Sequence, residues 1–241
     1  MTATLAITMA GRGQRFRDAG FDVPKYEIEV RGRSLFRWAM ASLRSWTDAG
    51  AQFVFLAREE DDAAEFIARE CAAEGIEAFA VVPVQGTTDG QATTALLAAA
   101  SVRDRTAPFA IYNIDTHVRA HAMRAEAARG DGWIPCFPGE GDGWSFAALG
   151  EGGRVSELRE KVRISPHATV GLYWFGSFET YAELYERHFA TAGDERGERY
   201  VAPMYNTLIA GGGSVHIAQL EPSAVVPLGT PAEVERFMAR G

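Results

Sequence analysis

The sequence predicts an α/β fold, a three-layer sandwich with a mostly parallel central sheet and a more mixed second half. In the first half, short apolar runs alternate with segments whose apolar residues recur at helical spacing. Polar, glycine-containing or charged loops follow three of the apolar runs, at 10–26, 83–91 and 113–117. Because the carboxyl ends of parallel strands meet at one edge of a sheet, we expect these loops to line one cleft.

The elements of the first half follow one another at the spacing of strand–helix–strand units, which implies right-handed crossovers and parallel strands. Ser34 is the predicted N-cap of the first long helix. The second long helix has acidic residues in its first turn and ends near Gly75. The predicted strands are 3–9, 51–57, 76–84 and 107–115, and the predicted helices are 34–46, 59–75 and 90–102.

The second half has a less regular pattern, in which apolar segments are separated by tight glycine turns. The sequence shows no internal repeat, linker or low-complexity tract, so we expect one domain that spans residues 1–241. The predicted strands lie within 133–139, 143–160 and 168–176, and the predicted helices are 177–190, 200–211 and 231–240.

Composition and charge disfavour several classes of protein. The chain has 241 residues and a net charge of -8, which makes a nucleic-acid backbone an unfavourable partner. No apolar run reaches the roughly 18 residues of a membrane-spanning helix, and no signal peptide is visible, so we expect no membrane partner and a cytoplasmic location. Cys71 and Cys136 form no CxxC pattern and indicate neither a disulfide framework nor a zinc site.

The loop after the first predicted strand, MAGRGQRF followed by VPK, carries the most specific chemistry. Gly11 and Gly13 let backbone N–H groups approach a ligand closely. The spacing does not complete GxGxxG, because Phe16 stands where the third glycine would be, and it does not match a P-loop. Four cations suited to phosphate oxygens accompany the glycines: Arg12, Arg15, Arg17 and Lys25.

This loop resembles the signature loop of the nucleotidyltransferases that join an NTP to a phosphorylated small molecule, GxGxR[FML] and then PK. The superfamily includes sugar-phosphate nucleotidylyltransferases and the cytidylyltransferases of capsule and phosphonate pathways. The resemblance implies a Rossmann-like sheet, an NTP-binding half over 1–118 and an acceptor-binding half over 119–241. It also implies catalytic roles for Arg15 and Lys25. The implied nucleotide contacts in this loop are Ala10, Gly11, Arg12 and Gly13.

A second segment, PVQGTTDGQATTAL, lies between a predicted strand and a predicted helix. Its small residues would let a base approach, and its amide and hydroxyl groups could bind the edge of that base. The segment resembles the GTxGxA segment of the family, which contacts base and substrate. A helix N-terminus capped by Thr88 or Asp89 would give a similar pattern. The nucleotide contacts that the resemblance implies here are Gln85, Gly86, Thr87, Gly90 and Gln91.

Asp115 lies at the carboxyl end of a predicted buried strand, where an isolated carboxylate would be costly. Mg²⁺ prefers carboxylate and phosphate oxygens, and the position matches the metal-binding aspartate of the family. The resemblance therefore implies that Asp115 is a catalytic residue and that it binds Mg²⁺ as cofactor. Many members have a second aspartate two residues before the glycine of GTP, where this chain has Pro227. Either Glu221 or Glu198 replaces it, or one carboxylate suffices.

The acceptor half shows two further resemblances. ELREKVRISPHATVGLYWF resembles the EK segment and the GxYxF strand of the family, and GERYVAPMYNTLIAGG resembles an acceptor-side segment of some members. Lys161 is expected to pair with the phosphate or phosphonate of the acceptor. His117 is either a further acceptor contact or a surface histidine. The acceptor-binding candidates are Glu160, Lys161, Arg163, Tyr200, Asn206 and His117, with Glu198 as a further pocket residue.

The resemblance implies transfer of NMP from an NTP to an anionic small molecule, with release of pyrophosphate and with CTP as the favoured nucleotide. A homodimer is possible. The first alternative is a sugar-phosphate nucleotidylyltransferase that uses UTP, dTTP or GTP. Two others are a glycosyltransferase of the related GT-A fold and a non-catalytic nucleotide-binding regulatory domain. A glycosyltransferase lacks the GxGxR and PK loop, and a regulatory domain would not need both Lys25 and Asp115.

Overall fold

The computed structural model describes residues 2–191 and 197–239. In the first half, strands and helices alternate along the chain. Its strands are β1 (Thr4–Thr8), β2 (Glu29–Val30), β3 (Arg33–Ser34), β4 (Gln52–Arg58), β5 (Phe79–Val84), β6 (Phe109–Asn113) and β7 (Thr116–Val118). Its helices are α1 (Gln14–Asp18), α2 (Leu35–Ala41), α3 (Arg44–Asp48), α4 (Ala64–Glu74) and α5 (Gln91–Leu96), the last of which continues as a 3-10 turn over Leu97–Ala100.

The second half of the chain consists mostly of strands. They are β8 (Gly132–Pro138), β9 (Ser145–Leu149), β10 (Val155–Glu160), β11 (His167–Thr169), β12 (Leu172–Phe175), β13 (Val215–Gln219) and β14 (Val225–Pro227). Its helices are α6 (Phe178–Thr191), α7 (Met204–Ala210) and α8 (Pro231–Ala239). The last residue of the predicted helix 231–240 lies outside the described residues. Among the helices that are described, none is long and apolar enough to cross a bilayer.

The central sheet has ten strands and runs through both halves of the chain. In the first half β5, β4, β1 and β6 lie side by side and are all parallel. In the second half β12 pairs antiparallel with β6 and with β8, β13 pairs parallel with β8, and β11, β9 and β10 add antiparallel pairs. The predicted α/β class, with its parallel first half and mixed second half, is confirmed.

Helices cover both faces of the sheet, which makes three layers. Alternate residues of β1 point to opposite faces: Leu5 and Ile7 pack with α2, α3 and α4, while Ala6 packs with α5, α6 and α7. Strands that are buried on both faces have continuous apolar sequences, so β1, β4 and β6 could be predicted from their apolar runs. A smaller cluster around Phe16 and Phe237 packs α1 and α8 against the short strands β2 and β14.

Three predicted helices differ from the observed elements. The predicted helix 59–75 begins as α4 only at Ala64, because Asp62 adopts a left-handed conformation with φ of 43° after a short 3-10 turn. The predicted helix 34–46 is interrupted between α2 and α3, where Leu43 leaves helical geometry with φ of -97° and ψ of 16°. The Ser42 hydroxyl beside it donates to the Trp38 carbonyl and accepts the N–H of Val118 from β7. The predicted helix 200–211 begins only at Met204. The chain before it pairs with the segment 83–91, the predicted nucleotide segment, instead: Arg199 N–H donates to the Asp89 carbonyl at 2.7 Å.

Candidate active site

A cleft of about 970 Å³ opens at the carboxyl ends of β1 and β6. Residues from both halves of the chain line it, so one wall comes from the parallel part of the sheet and the other from the antiparallel part. Thr8 and Asn113, the last residues of β1 and β6, stand side by side in register at its floor. All three of the loops that were expected at this edge contribute to the cleft.

The glycine loop forms one rim of the cleft, and Ala10, Gly11, Arg12, Gly13 and Arg15 line it. Gly13 adopts a left-handed backbone conformation with φ of 62° and starts α1, a conformation that glycine takes at little cost. Phe16 in α1 is buried and fixes the loop to the protein. Arg17 lies away from the lining residues and donates from Nε to the Arg12 carbonyl at 3.2 Å.

Lys25 and Asp115 meet in the cleft, although 90 positions separate them in the chain. Lys25 Nζ donates to Asp115 Oδ2 at 3.1 Å, and the two side chains are 19% and 34% exposed. Pro24, with φ of -52° and ψ of 143°, leads into the short turn that carries Lys25. Partly exposed ion pairs contribute little to stability, so this pair adds little to the stability of the fold.

The nucleotide segment after β5 enters the cleft at Thr87 and lines it through Gly90 and Gln91. Gly90 has φ of 142°, and a Cβ there would lie 2.6 Å from the backbone nitrogen of Arg199. Ala92 N–H donates to the Arg199 carbonyl at 2.9 Å, so the segment is fixed to the acceptor half. Only a residue without a side chain allows this close approach.

Gln91 connects this segment to the floor of the cleft. Its Nε2 donates to Thr8 Oγ1 at 3.2 Å and to Asn113 Oδ1. The three side chains form a polar surface of amide and hydroxyl groups at the ends of β1 and β6. Gln85 and Gly86 are exposed and lie outside the cleft, because β5 is the edge strand of the sheet and the chain turns inward only after them.

The wall of the cleft that the second half of the chain forms, the predicted acceptor wall, contains a buried polar cluster around Glu160. The Glu160 carboxylate accepts a hydrogen bond from Ser145 Oγ, which is 3.1 Å from the Tyr173 hydroxyl. The Thr169 hydroxyl completes the chain 3.0 Å from Tyr173. Burial, together with the Glu160 charge, raises the pKa of Tyr173, so its hydroxyl stays protonated. All four residues line the cleft.

Lys161 lies at the edge of this wall. Its Nζ donates to the Tyr200 hydroxyl at 2.8 Å and lies 3.8 Å from Glu160 Oε1. Tyr200 and Glu160 line the cleft, whereas Lys161 is not among the residues that line it. Burial raises the pKa of Tyr200 despite the nearby ammonium group of Lys161. Glu198, in the same segment as Tyr200, also lines the cleft.

Three acceptor candidates lie elsewhere. His117 is packed against Trp38, with its Nδ1 2.8 Å from the Trp38 carbonyl, and burial lowers its pKa. Asn206 binds the backbone N–H and carbonyl of Leu158, both at 2.8 Å, and so ties α7 to β10. Arg163 donates from Nε to the Gly141 carbonyl at 3.0 Å. These contacts hold structural segments together, and none of the three side chains lines the cleft.

The oxygen donors beside Lys25 fit a magnesium ion. Asp115 is joined there by Glu233, a residue from α8 that the sequence analysis did not single out. A Cβ at Gly229 would lie 3.4 Å from Asp115 Oδ2 and 3.6 Å from Glu233 Oε2, so both carboxylates border one small space. No group of three or more metal-ligating side chains occurs among the described residues, but Mg²⁺ commonly takes one or two carboxylates together with phosphates and water.

Of the two carboxylates proposed to replace the second aspartate, Glu198 lies on the acceptor side and Glu221 lies outside the cleft. Pro227 does line the cleft, but its ring has no oxygen donor. Glu233 could have been found from the sequence, since it follows Thr230 by three residues at the start of a predicted helix next to the GTP motif. Asn113 and Tyr173 lie in segments that the sequence analysis placed at the site, the loop 113–117 and the GxYxF strand, but neither residue was singled out.

No protein-family model and no curated protein sequence matches the chain. Among solved structures, it resembles a nucleoside-diphosphate-sugar pyrophosphorylase from Vibrio cholerae RC9, with 33% identity, coverage of 98% of this chain and 99% of the other, and a TM-score of 0.90. An inositol-1-phosphate CTP transferase from T. maritima is 15% identical, with coverage of 99% and 96% and a TM-score of 0.76.

A UDP-glucose pyrophosphorylase complexed with UDP-glucose is 14% identical, with coverage of 100% and 98% and a TM-score of 0.75. The last two likenesses support the fold alone. The first combines substantial identity with nearly complete coverage of both chains. Together with the cleft that the GxGxR and PK loop forms, it shows that this chain belongs to the nucleotidyltransferase superfamily.

Proposed function

We propose that this nucleotidyltransferase transfers NMP from an NTP, with CTP preferred, to a phosphorylated or phosphonate small molecule. The observation that carries the proposal is the Lys25–Asp115 pair, which lies in one cleft with the glycine loop and the polar acceptor wall. The pair therefore lies in the space that an NTP and an acceptor would share.

In the proposed reaction, an oxygen of the acceptor anion attacks the α-phosphorus of the NTP in line. The bond from the α-phosphorus to the bridging oxygen breaks, and pyrophosphate leaves with the electron pair. The acceptor is already an anion, so the reaction needs no general base. The protein contributes by positioning the two substrates and by offsetting negative charge.

Each side of the cleft then has its own role. Arg15 and the backbone N–H groups of the glycine loop hold the β- and γ-phosphates, while Lys25 offsets the charge that develops at the α-phosphate. Asp115 would hold Mg²⁺, which when bound supplies further positive charge at the phosphates. These groups serve the nucleotide, so the acceptor has to enter from the opposite wall.

The acceptor wall suits a small molecule that has an anionic end and a polar remainder. Glu160 can accept hydrogen bonds from the hydroxyl or amino groups of the acceptor, and the Tyr173 hydroxyl can donate one. Lys161 contacts Glu160 and Tyr200, and we assign its positive charge to the acceptor anion. Gly171 leaves space beside Asn113, since a Cβ at position 171 would lie 2.6 Å from Asn113 Nδ2.

The preference for CTP rests on a resemblance: the glycine loop, and Pro227 in place of the second aspartate, resemble capsule- and phosphonate-pathway cytidylyltransferases. One observation favours the alternative of a sugar-phosphate nucleotidylyltransferase that uses UTP, dTTP or GTP. The solved structure with 33% identity is described as a nucleoside-diphosphate-sugar pyrophosphorylase. Membership of the nucleotidyltransferase superfamily argues against the glycosyltransferase alternative.

The test is pyrophosphate release from each of the four NTPs, with Mg²⁺ and a panel of sugar phosphates, amino-acid-derived phosphates and small phosphonates. We expect release that requires an acceptor and is fastest with CTP. Faster release from UTP, dTTP or GTP with a sugar phosphate would support the alternative. Nucleotide binding without acceptor-dependent pyrophosphate release from any NTP would contradict the proposed reaction and favour a regulatory domain.

A further inference from the structure

Glu233 lies close to Asp115 because the end of the chain folds back onto the loop that carries Asp115. Strand β14 pairs antiparallel with β7, which directly follows Asp115. Beyond β14, the backbone N–H of Leu228 donates to the Asp115 carbonyl at 2.8 Å. Helix α8 starts three residues later and carries Glu233 in its first turn. The position of Glu233 relative to Asp115 is therefore fixed by backbone pairing.

Gly229 keeps the space between the two carboxylates open. Any larger residue would place its Cβ in van der Waals contact with both Asp115 Oδ2 and Glu233 Oε2, at 3.4 and 3.6 Å. Gly229 is not among the glycines with a left-handed backbone, so its conformation alone does not require glycine. The missing side chain leaves room for a small ligand bounded by carboxylate oxygens on two sides.

Capping of helix α8 does not explain why the Glu233 side chain faces the cleft. The Thr230 hydroxyl accepts the backbone N–H of Glu233 at 3.3 Å, which caps the start of α8. In a full capping box, the glutamate carboxylate would return to the N–H of the capping residue. Within residues 2–191 and 197–239, no hydrogen bond or ion pair occupies the Glu233 carboxylate, which lines the cleft instead.

The local charge also favours a cation. Lys25 offsets one of the two carboxylates through its contact with Asp115. Glu233 adds a second negative charge beside it. Pro227, which lines the same part of the cleft, offers no side-chain oxygen. Two carboxylates with one ammonium group leave a net negative site, which a divalent cation would neutralise.

We propose that Glu233 is the second protein carboxylate of the magnesium site and binds the ion together with Asp115. The inference rests on the proposed function, in which Mg²⁺ accompanies the triphosphate. It assigns the ion a ligand from α8, six residues beyond Pro227 in the chain. Gly229 is then the residue that gives the ion access to both carboxylates.

The test measures binding of Mn²⁺, used in place of Mg²⁺, by electron paramagnetic resonance on the full chain. Titrations are run with Mn²⁺ alone and with Mn²⁺ plus a non-hydrolysable α,β-methylene analogue of CTP. Glu233→Gln removes the charge and keeps the shape of the side chain. Glu235→Gln is the matched control, because Glu235 lies exposed on the same helix. Thermal unfolding of each variant checks that the chain is folded.

We expect Glu233→Gln to weaken Mn²⁺ binding by at least about tenfold, the lower end of the effect of losing groups that support a metal ligand. Glu235→Gln should bind as the unmodified chain does. Equal Mn²⁺ affinity in the two variants, or no Mn²⁺ binding by the unmodified chain in either titration, would overturn the inference. Failure of the proposed function is separate and would be seen as no pyrophosphate release by the unmodified chain with any NTP.

Discussion

Replacing Lys25 with alanine should slow the proposed reaction more than it weakens substrate binding. Two unit charges about 4 Å apart interact by about 4 kcal/mol at an effective dielectric constant of about 20. That environment suits Lys25, whose side chain is 19% exposed and lies 3.1 Å from Asp115. Loss of about 2.7 kcal/mol of this energy in the transition state alone would raise the barrier by that amount, so we expect kcat to fall about 10²-fold.

The assay is steady-state pyrophosphate release at saturating NTP and acceptor, with kcat and both KM values determined separately. Arg17→Ala is the matched control, since Arg17 is a cation of the same loop whose side chain binds the Arg12 carbonyl instead of lining the cleft. It should change kcat by less than about twofold. A fully active Lys25→Ala variant, or one with an unchanged kcat and a raised NTP KM, would refute the transition-state role of Lys25.

Three further predictions concern the acceptor wall, the nucleotide segment and a buried histidine. Lys161→Ala should raise the acceptor KM and leave the NTP KM nearly unchanged in steady-state kinetics. A raised NTP KM with an unchanged acceptor KM would show that the nucleotide and acceptor sites have been assigned to the wrong halves. Gly90→Ala should lower the free energy of unfolding by about 2 kcal/mol or more, because its Cβ would lie 2.6 Å from Arg199 backbone atoms; urea unfolding with an unchanged midpoint would contradict this. Burial lowers the pKa of His188, so the unfolded chain binds more protons than the folded chain near this pH. The free energy of unfolding should therefore fall as the pH drops below about 6.5. His188→Gln should show a smaller decrease than the unmodified chain when urea unfolding at pH 7.5 is compared with urea unfolding at pH 5.5.

The sequence predicted the parallel part of the fold well because local pattern and tertiary environment agree there. β1, β4 and β6 are buried on both faces, so their apolar runs directly reflect the final structure. Lys25 and Asp115 could be expected in one cleft because each follows a strand of the parallel sheet, and β1 and β6 are neighbours. Topology brings together residues that are 90 positions apart.

The errors arise where a distant partner decides a local conformation. Helix α2 ends where the Ser42 hydroxyl accepts an N–H from β7, a contact that helical periodicity does not predict. His117 and Asn206 have side chains suited to a binding pocket, but nearby backbone groups occupy them. Glu233 was not singled out, because its proximity to Asp115 depends on the pairing of β14 with β7, which the local pattern does not predict.

Attack at the α-phosphorus is the central claim, and ³¹P nuclear magnetic resonance of the products tests it most directly. The reaction is run with the most active NTP and acceptor and is sampled before and after completion. We predict pyrophosphate together with two new, mutually coupled phosphorus signals from the bond between the nucleotide and the acceptor phosphorus. Formation of NDP and inorganic phosphate, or loss of NTP without coupled product signals, would contradict the account.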